Sequence, residues 1–277
     1  MIFLCPLLFA FRQFFPLKVS GEQPNMRLYL IALQFLTIIP LPFSVRCEEK
    51  DLGRAMAVFP LAGLTLGALL VGANFLLSLC LPRDIVDLLL VAILSIVTGV
   101  LHLDGLADVC DGLAARGGRE RFLAIMKDSH TGAAGAIGLI LVLLLKYLAL
   151  LHVPIEYKRE ALFCFPMLAR FAQVQLTVGA KKARTDGLGT VFIGGAGWRQ
   201  LLLATLITLG SVFLLLGVKG FWLFIAAYLL TWGLKAWFHR RLGGLSGDII
   251  GFANELNEVL CLLVIVSLFT KGAGINI

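Results

Sequence analysis

Long apolar runs separated by short polar segments dominate the chain. Each run is close to the roughly 20 residues that a helix needs to cross a bilayer. Eight such runs lie at residues 27–45, 55–81, 85–103, 133–153, 161–178, 200–218, 220–238 and 249–270. A membrane β-barrel would instead show alternating polarity in segments of about 10 residues. The pattern predicts an all-α fold, a polytopic integral membrane helical bundle with about seven or eight transmembrane helices.

Composition supports a membrane protein rather than a soluble one. Hydrophobic residues make up 59% of the 277 residues and charged residues 15%, whereas soluble domains are about half apolar and a quarter charged. The apolar stretch before Met26 is short for a span and carries no signal-peptide cleavage site. We therefore expect residues 1–25 to be a dispensable N-terminal extension and residues 26–277 to form a single membrane-embedded catalytic domain.

The loops between the predicted spans differ strongly in charge. When the loops are assigned alternately to the two sides of the membrane, one set carries thirteen basic residues and the other carries five. The basic set comprises the loops 46–54, 104–132, 179–199 and 239–248. The positive-inside rule places this set in the cytoplasm, which accounts for the net charge of +7 without a nucleic-acid partner. The alternative is that the same basic loops also hold an anionic substrate.

Three aspartates follow directly from the predicted span at 85–103, in the stretch LHLDGLADVCDGLAAR. Asp104, Asp108 and Asp111 are spaced i, i+4 and i+7, which forms one stripe on a helix. If the preceding helix continues through them, three carboxylates project from one face at the membrane boundary. Like charges so placed repel each other, and Mg²⁺ suits such a set because it binds carboxylates together with substrate phosphates. The alternative is a solvated helix end.

Basic residues and one further aspartate follow this stripe. Arg116, Arg119 and Arg121 are predicted to grip phosphate oxygens, because the guanidinium group matches their geometry. Positive-inside anchoring explains the same three residues equally well. Asp128 is the best additional metal ligand in this loop.

A second acidic segment, SGDIIGFANELNEVL, begins the last span. Asp248, Glu255 and Glu258 share one helix face, and ionisable residues within a span usually face a bundle interior or a polar cavity. We interpret them as a second acidic wall, with Asp248 as a metal ligand and Glu255 contacting substrate; a polar seam is the alternative. Arg170, inside the span at 161–178, is predicted either to neutralise the acidic clusters or to bind phosphate, and Arg184 is predicted to bind the anionic substrate. The whole set fits metal-assisted transfer at a phosphate.

These motifs resemble the cobalamin 5′-phosphate synthase family, also called adenosylcobinamide-GDP ribazoletransferase. HLDGLADVCDGL followed by RERFLAIMKDSHTGAAG carries the likeness. The weaker motifs LQFLTIIPLP, FPLAGLTLGALL, LAR around Arg170, GLG at 187–189 and SGDIIGFANEL occur in the family's order, and the resemblance covers about residues 26–265.

The resemblance implies an integral membrane enzyme of the last stage of cobalamin assembly. Together with the positive-inside rule, it predicts a multi-pass protein of the cell inner membrane whose active site faces the cytoplasm. It implies that adenosylcobinamide-GDP is joined to α-ribazole or its 5′-phosphate, that GMP is released and that Mg²⁺ is required. Asp104, Asp108 and Asp111 would form the catalytic acidic core. The partners implied are these substrates and the lipid bilayer, with other enzymes of the pathway as further candidates.

Two other functions stay open at this stage. DVCDGLAAR also looks like the opening motif of CDP-alcohol phosphotransferases, which make phospholipids by related chemistry, but Ile125 stands where their pattern has a glycine. A cation-coupled transporter would also carry carboxylates in its spans. Against it, the charges gather at one face rather than near the bilayer midplane, where transporters usually bind.

Overall fold

The structure is a computed structural model that describes residues 24–40, 47–128, 130–184 and 189–270. In chain order the helices are α1 (Pro24–Leu36), α2 (Glu49–Ala55), α3 (Phe59–Leu77), α4 (Arg83–Val97), α5 (Leu101–Ala114), α6 (Arg119–Ile125), α7 (Ala133–His152), α8 (Lys158–Thr177), α9 (Gly189–Gly195), α10 (Trp198–Leu216), α11 (Val218–Leu242) and α12 (Gly247–Phe269). Short 3₁₀ turns precede α3 and α8. Within the described ranges the chain has no β-strand, so the all-α prediction is confirmed. Nearly all of the predicted N-terminal extension lies outside these ranges.

Five helical segments of the described chain are long and apolar enough to cross a membrane. They are the segment Lys50–Leu77, which joins α2 to α3, and the helices α7, α10, α11 and α12. The bent pair α4 and α5 together makes a sixth candidate. These helices confirm the prediction of a polytopic membrane bundle.

The first predicted span is shorter in the structure than in the sequence pattern. Helix α1 has 13 residues, which at 1.5 Å per residue gives about 20 Å, less than the roughly 30 Å of a bilayer core. It ends at Leu36, and part of the predicted span, residues 41–46, lies outside the described ranges.

Helix α8 lies at the centre of the bundle, packed against α3, α10, α11 and α12. Nearly all of its 20 residues are buried, including polar ones. Gly63 and Gly67 of α3 allow the closest contact: a Cβ at Gly63 would lie 2.5 Å from the Cα of Met167, and one at Gly67 would lie 2.7 Å from the Cα of Phe163. Small residues four apart let two membrane helices bring their backbones together.

The helix before the aspartate stripe does not continue straight into it, so that expectation was wrong. The chain breaks between α4 and α5 and turns by 90°. Gly99 and Val100 both adopt positive φ angles, of 63° and 59°. A left-handed glycine is a common way to end a helix, whereas the same conformation is strained for valine. The break also frees the Val97 carbonyl oxygen, which accepts a hydrogen bond of 2.8 Å from the Ile38 amide.

The four loops predicted to be cytoplasmic meet at one end of the bundle. The Arg119 guanidinium donates to the Leu242 carbonyl oxygen at 2.7 Å and to that of Ala183 at 2.9 Å, joining three of the loops. The fourth joins them where Gly53 of α2 lies directly against Gly195 of α9. The structure therefore brings this loop set together, and its cytoplasmic location stays a prediction.

The loops of the other set, which carry five basic residues, also meet one another. Lys158 forms an ion pair with the buried Asp87 at 3.0 Å, and Arg83 pairs with the same carboxylate. Lys219, in the first turn of α11, has its Nζ 4.2 Å from the centroid of the Phe269 ring at the end of α12. The charges at this end are thus used in contacts within the protein.

Candidate active site

The aspartate stripe lies on α5, whose other face is buried. His102, Leu103, Leu106 and Val109 turn inward, because apolar positions three and four apart share one side of a helix. On the opposite side Asp104 is exposed and Asp108 is half-buried. The predicted stripe is therefore present, with Asp104 exposed and both Asp108 and Asp111 half-buried.

The first turn of α12 packs directly against this stripe. Gly105 makes the contact possible, because a Cβ there would lie 2.7 Å from the Asp248 carbonyl oxygen and 2.9 Å from the Asp248 Cα. The Asp248 carboxylate accepts a hydrogen bond of 2.8 Å from Arg184. An acidic residue in a first helical turn is also stabilised by the helix dipole.

Three carboxylates therefore lie close enough for their charges to interact, and Arg184 pairs with one of them. The charge on Asp108 interacts with those on Asp104, Asp248 and Arg184. We refer to Asp104, Asp108 and Asp248 as the acidic cluster. Two distant sequence segments, predicted separately as acidic walls, supply its members.

Asp111 has a different set of contacts. Its carboxylate accepts hydrogen bonds from the backbone amides of Gly132, at 2.7 Å, and Gly135, at 2.8 Å. These amides belong to the start of α7, where backbone N–H groups have no partner within the helix. Asp111 thus fastens the N-terminus of α7 to α5. Each of its oxygens accepts one of these hydrogen bonds and has capacity to accept another.

An open pocket of about 440 Å³ lies beside Asp111, between the end of α5 and the start of α7. Asp128, His130 and Thr131 line its rim. The His130 ring nitrogen Nδ1 and its backbone amide both lie within hydrogen-bond distance of Asp128 Oδ1, at 2.7 and 3.0 Å. The contact with the His130 ring lowers the pKa of Asp128 below its usual value. Asp128 is placed near Asp111 through this pocket rather than within the acidic cluster.

The donor atoms of the acidic cluster suit a hard divalent cation. Carboxylate oxygens are the ligands that Mg²⁺ prefers, and crowded like charges favour a compensating cation. No three His, Cys, Asp or Glu side chains in the described chain already converge on one metal position. Mg²⁺ commonly uses one or two carboxylates, with water and substrate phosphates completing its shell. The cluster fits a metal held jointly with a substrate.

The three arginines after the stripe differ in their contacts. Arg116 and Arg121 are exposed near the end of α5 and on α6. Arg119, by contrast, uses its guanidinium to hold the loop carbonyl oxygens described above. Of the three, Arg116 and Arg121 are the ones whose guanidinium groups face solvent in the described structure.

Arg170 and Glu255 lie inside the bundle rather than on an open surface. The Arg170 guanidinium is fully buried and pairs with Glu258 of α12. Glu255 pairs with Lys146 of α7 at 2.5 Å, and Lys146 also reaches Glu258 at 2.5 Å. These four side chains are two carboxylates and two cations, which pair with one another. The arginine and the glutamate that were predicted to bind substrate thus form ion pairs with side chains of neighbouring helices.

Three uncharged side chains extend these ion pairs toward α5. Asn254 accepts a hydrogen bond from Arg170 at 3.0 Å and one from Gln173 at 2.8 Å. The Gln173 amide nitrogen also lies 3.0 Å from His102 Nε2. We call the connected set the buried polar network; its members are His102, Lys146, Arg170, Gln173, Asn254, Glu255 and Glu258.

Sequence reasoning missed Lys146 and Gln173 as parts of the site's surroundings. Lys146 is a single charge in the middle of an otherwise apolar run, and Gln173 lies three residues after Arg170. Isolated polar residues in a span are costly, and each therefore signals a partner on another helix.

Comparison with known proteins matches the same motifs. The family model described as cobalamin-5-phosphate synthase matches residues 28–266. A Geotalea daltonii protein named adenosylcobinamide-GDP ribazoletransferase is 63% identical over 243 residues, covering 88% of this chain and 98% of that protein. Proteins of the same name from Acetivibrio thermocellus and Clostridium botulinum are each 33% identical; the match to the first covers 85% of this chain and 95% of that protein, and the match to the second covers 86% and 96%. No solved structure matches the chain.

Proposed function

The chain belongs to the cobalamin-5-phosphate synthase family, and we propose that it joins adenosylcobinamide-GDP to α-ribazole or α-ribazole 5′-phosphate and releases GMP. The transferase activity of cobalamin synthesis is the one named for its relatives. The helices that are long and apolar enough to cross a membrane support a reaction at a lipid bilayer.

The observation that carries the proposal is the meeting of Asp104 and Asp108 with Asp248 and Arg184 at the contact between α5 and α12. A nucleoside diphosphate ester brings several anionic oxygens, which a site of carboxylates alone would repel. Arg184, held at 2.8 Å from Asp248, supplies a guanidinium donor for such oxygens. Arg116 and Arg121, which follow the aspartate stripe closely in the sequence, are exposed and supply further positive charge.

Asp104, Asp108 and Asp248 are the residues that would hold Mg²⁺ in this proposal. When bound, the ion supplies charge neutralisation at the diphosphate, the role that metals take in most phosphoryl transfers. Asp111 supports the site from one turn further along α5, because it ties that helix to the start of α7.

The transfer then proceeds at the phosphorus atom on the cobinamide side of the diphosphate. The ribazole hydroxyl oxygen forms the new P–O bond, and the bond from that phosphorus to the bridging oxygen breaks. GMP leaves with the bridging oxygen, and a carboxylate of the acidic cluster accepts the hydroxyl proton. Positioning and charge neutralisation supply most of the rate in such reactions.

The orientation follows from the basic loop set. The acidic cluster lies among the loops 104–132, 179–199 and 239–248, which carry most of the basic residues. We place this end of the bundle in the cytoplasm and the chain in the inner membrane.

Purified protein tests the proposal directly. With adenosylcobinamide-GDP and either ribazole form, GMP should appear only when both substrates and Mg²⁺ are present. CDP-linked donors with an alcohol acceptor form the parallel arm, and release of CMP there would instead identify a phospholipid synthase. Absence of both products from folded protein would contradict the proposed activity.

A further inference from the structure

The buried polar network occupies the bundle interior next to the acidic cluster. Its side chains come from α5, α7, α8 and α12, and each is at most 4% exposed. The same helices carry the site: α5 and α12 supply the acidic cluster, and α7 is held by Asp111. One set of contacts therefore joins every helix on which the site depends.

The buried polar network contains equal numbers of positive and negative charges. Lys146 and Arg170 supply two positive charges, and Glu255 and Glu258 supply two negative ones. A buried charge that loses its partner is strongly unfavourable, most of all inside a membrane. The helices α7, α8 and α12 are consequently fixed relative to one another at this depth.

Within the described chain, helix α5 meets the side chains of the buried polar network through a single polar contact. In the described part of the chain, the one hydrogen bond of the His102 side chain is to the Gln173 amide, because His102 Nδ1 has no partner there. Gln173 in turn donates to Asn254 of α12 at 2.8 Å. The contact therefore runs from α5 through α8 to α12.

His102 also lies where α5 and α12 touch. A Cβ at Gly251 would lie 3.2 Å from the His102 Cα, and the next contact along the two helices is that of Gly105 with Asp248. A rotation of α5 at His102 would move Asp104 and Asp108, two and six residues further along the same helix, relative to Asp248.

We propose that Gln173 is a positioning residue, which holds α5 through His102 so that Asp104 and Asp108 face Asp248. This inference rests on the proposed function for its kinetic consequence. Neither Gln173 nor His102 touches substrate in this account; both act through the placement of the acidic cluster.

The chain contains a closely matched control for Gln173. Gln175 lies on the same helix, is also buried and donates a hydrogen bond of 2.9 Å, but its partner is the Tyr228 carbonyl oxygen of α11. Gln175→Leu therefore removes one buried hydrogen bond from α8, and Gln173→Leu removes two. Only Gln173→Leu removes a contact to α5.

The native cysteines report the placement of α5 without further substitution. Cys110 lies on α5 with its Sγ against Gly138 of α7, while Cys80 is exposed at the other end of the bundle and Cys164 is buried in α8. Modification by N-ethylmaleimide, followed residue by residue with mass spectrometry, gives the Cys110 rate relative to Cys80. Reaction at Cys164 reports a general loss of packing.

Gln173→Leu should raise the Cys110 rate about threefold or more and leave Cys164 unreactive. In the GMP-release assay it should lower kcat about tenfold or more, since small displacements of reacting groups are costly, and leave the KM for adenosylcobinamide-GDP within about twofold. Gln175→Leu should change neither the Cys110 rate nor kcat. Equal effects of the two variants, or equal rises at Cys110 and Cys164, would overturn the inference.

Two variants of His102 test the same contact from α5, which covers the outcome in which Gln173→Leu does not fold. His102→Leu should reproduce the Cys110 and kcat changes, whereas His102→Gln, whose amide oxygen accepts a hydrogen bond, should restore both. If the two variants behave alike, the contact does not position α5. A wild-type protein that releases no GMP would refute the proposed function alone, because the cysteine measurement still decides the placement of α5.

Discussion

The same substitution at two neighbouring positions of α5 should separate stability from activity. Asp111→Asn and Asp108→Asn each replace a carboxylate by an amide of equal size on one helix. The Asp111 carboxylate accepts backbone hydrogen bonds from Gly132 and Gly135. The Asp108 carboxylate accepts none within the described chain and instead interacts with the like charges of its neighbours.

The expected magnitudes follow from these contacts. In Asp111→Asn, the amide oxygen keeps one backbone hydrogen bond, and the amide nitrogen, itself a donor, loses the other. A hydrogen bond to a charged group contributes about 1.5–3 kcal/mol, so the apparent melting temperature should fall by roughly 3–12 °C, at about 2–4 °C per kcal/mol. Asp108→Asn should leave stability unchanged or raise it, because it removes one of several crowded like charges. Its turnover should fall about 100-fold or more, the scale of losing one transition-state charge contact.

Thermal unfolding of purified protein in detergent, followed by tryptophan fluorescence, gives the stability of both variants. GMP release gives their turnover. Equal melting temperatures for Asp111→Asn and wild type would show that Asp111 does not fasten α7. A large loss of stability in Asp108→Asn would show that its carboxylate is paired rather than crowded.

Three further outcomes are expected. Gly105→Ala should destabilise the protein by about 1–3 kcal/mol and reduce GMP release, since its Cβ would strike Asp248. Gly72→Ala, with open space around it, should leave stability and GMP release unchanged. Equal melting temperatures of the two variants would contradict the close α5–α12 contact. Arg119→Ala should lower stability by about 1–2 kcal/mol through its lost carbonyl contacts, whereas Arg116→Ala should mainly raise the KM for adenosylcobinamide-GDP. A raised KM in Arg119→Ala without a loss of stability would contradict these assignments. Single cysteines placed in the basic loops, on a cysteine-free background, should resist an impermeant thiol reagent in intact cells, and their labelling would reverse the predicted orientation.

The helical elements were largely predictable because the bilayer imposes a length and a polarity that hydropathy reveals. The break before α5 was not, since the apolar run continues through Thr98, Gly99 and Val100 without a change in hydropathy. Only the left-handed backbone at Gly99 and Val100 marks the turn. A glycine within an apolar run was the available signal.

The residue types of the site were predictable, but their partners were not. The spacing of Asp104, Asp108 and Asp111 identified a stripe, yet the partners of Asp111 lie 21 and 24 residues away in sequence. Arg170 and Glu255 were singled out as ionisable residues within predicted spans. Sequence spacing does not tell whether such a charge faces a substrate cavity or another helix, and here both face the buried polar network.

The most direct test of the central claim is the formation of the cobalamin product from adenosylcobinamide-GDP and α-ribazole, measured together with GMP by mass spectrometry. Wild-type protein and Asp84→Asn, which changes an exposed aspartate of α4 outside the acidic cluster, should form both products in equal amounts. Asp108→Asn, equally folded, should form neither above a few per cent of the wild-type amount. Product formation by Asp108→Asn at the wild-type rate would contradict an active site at the acidic cluster.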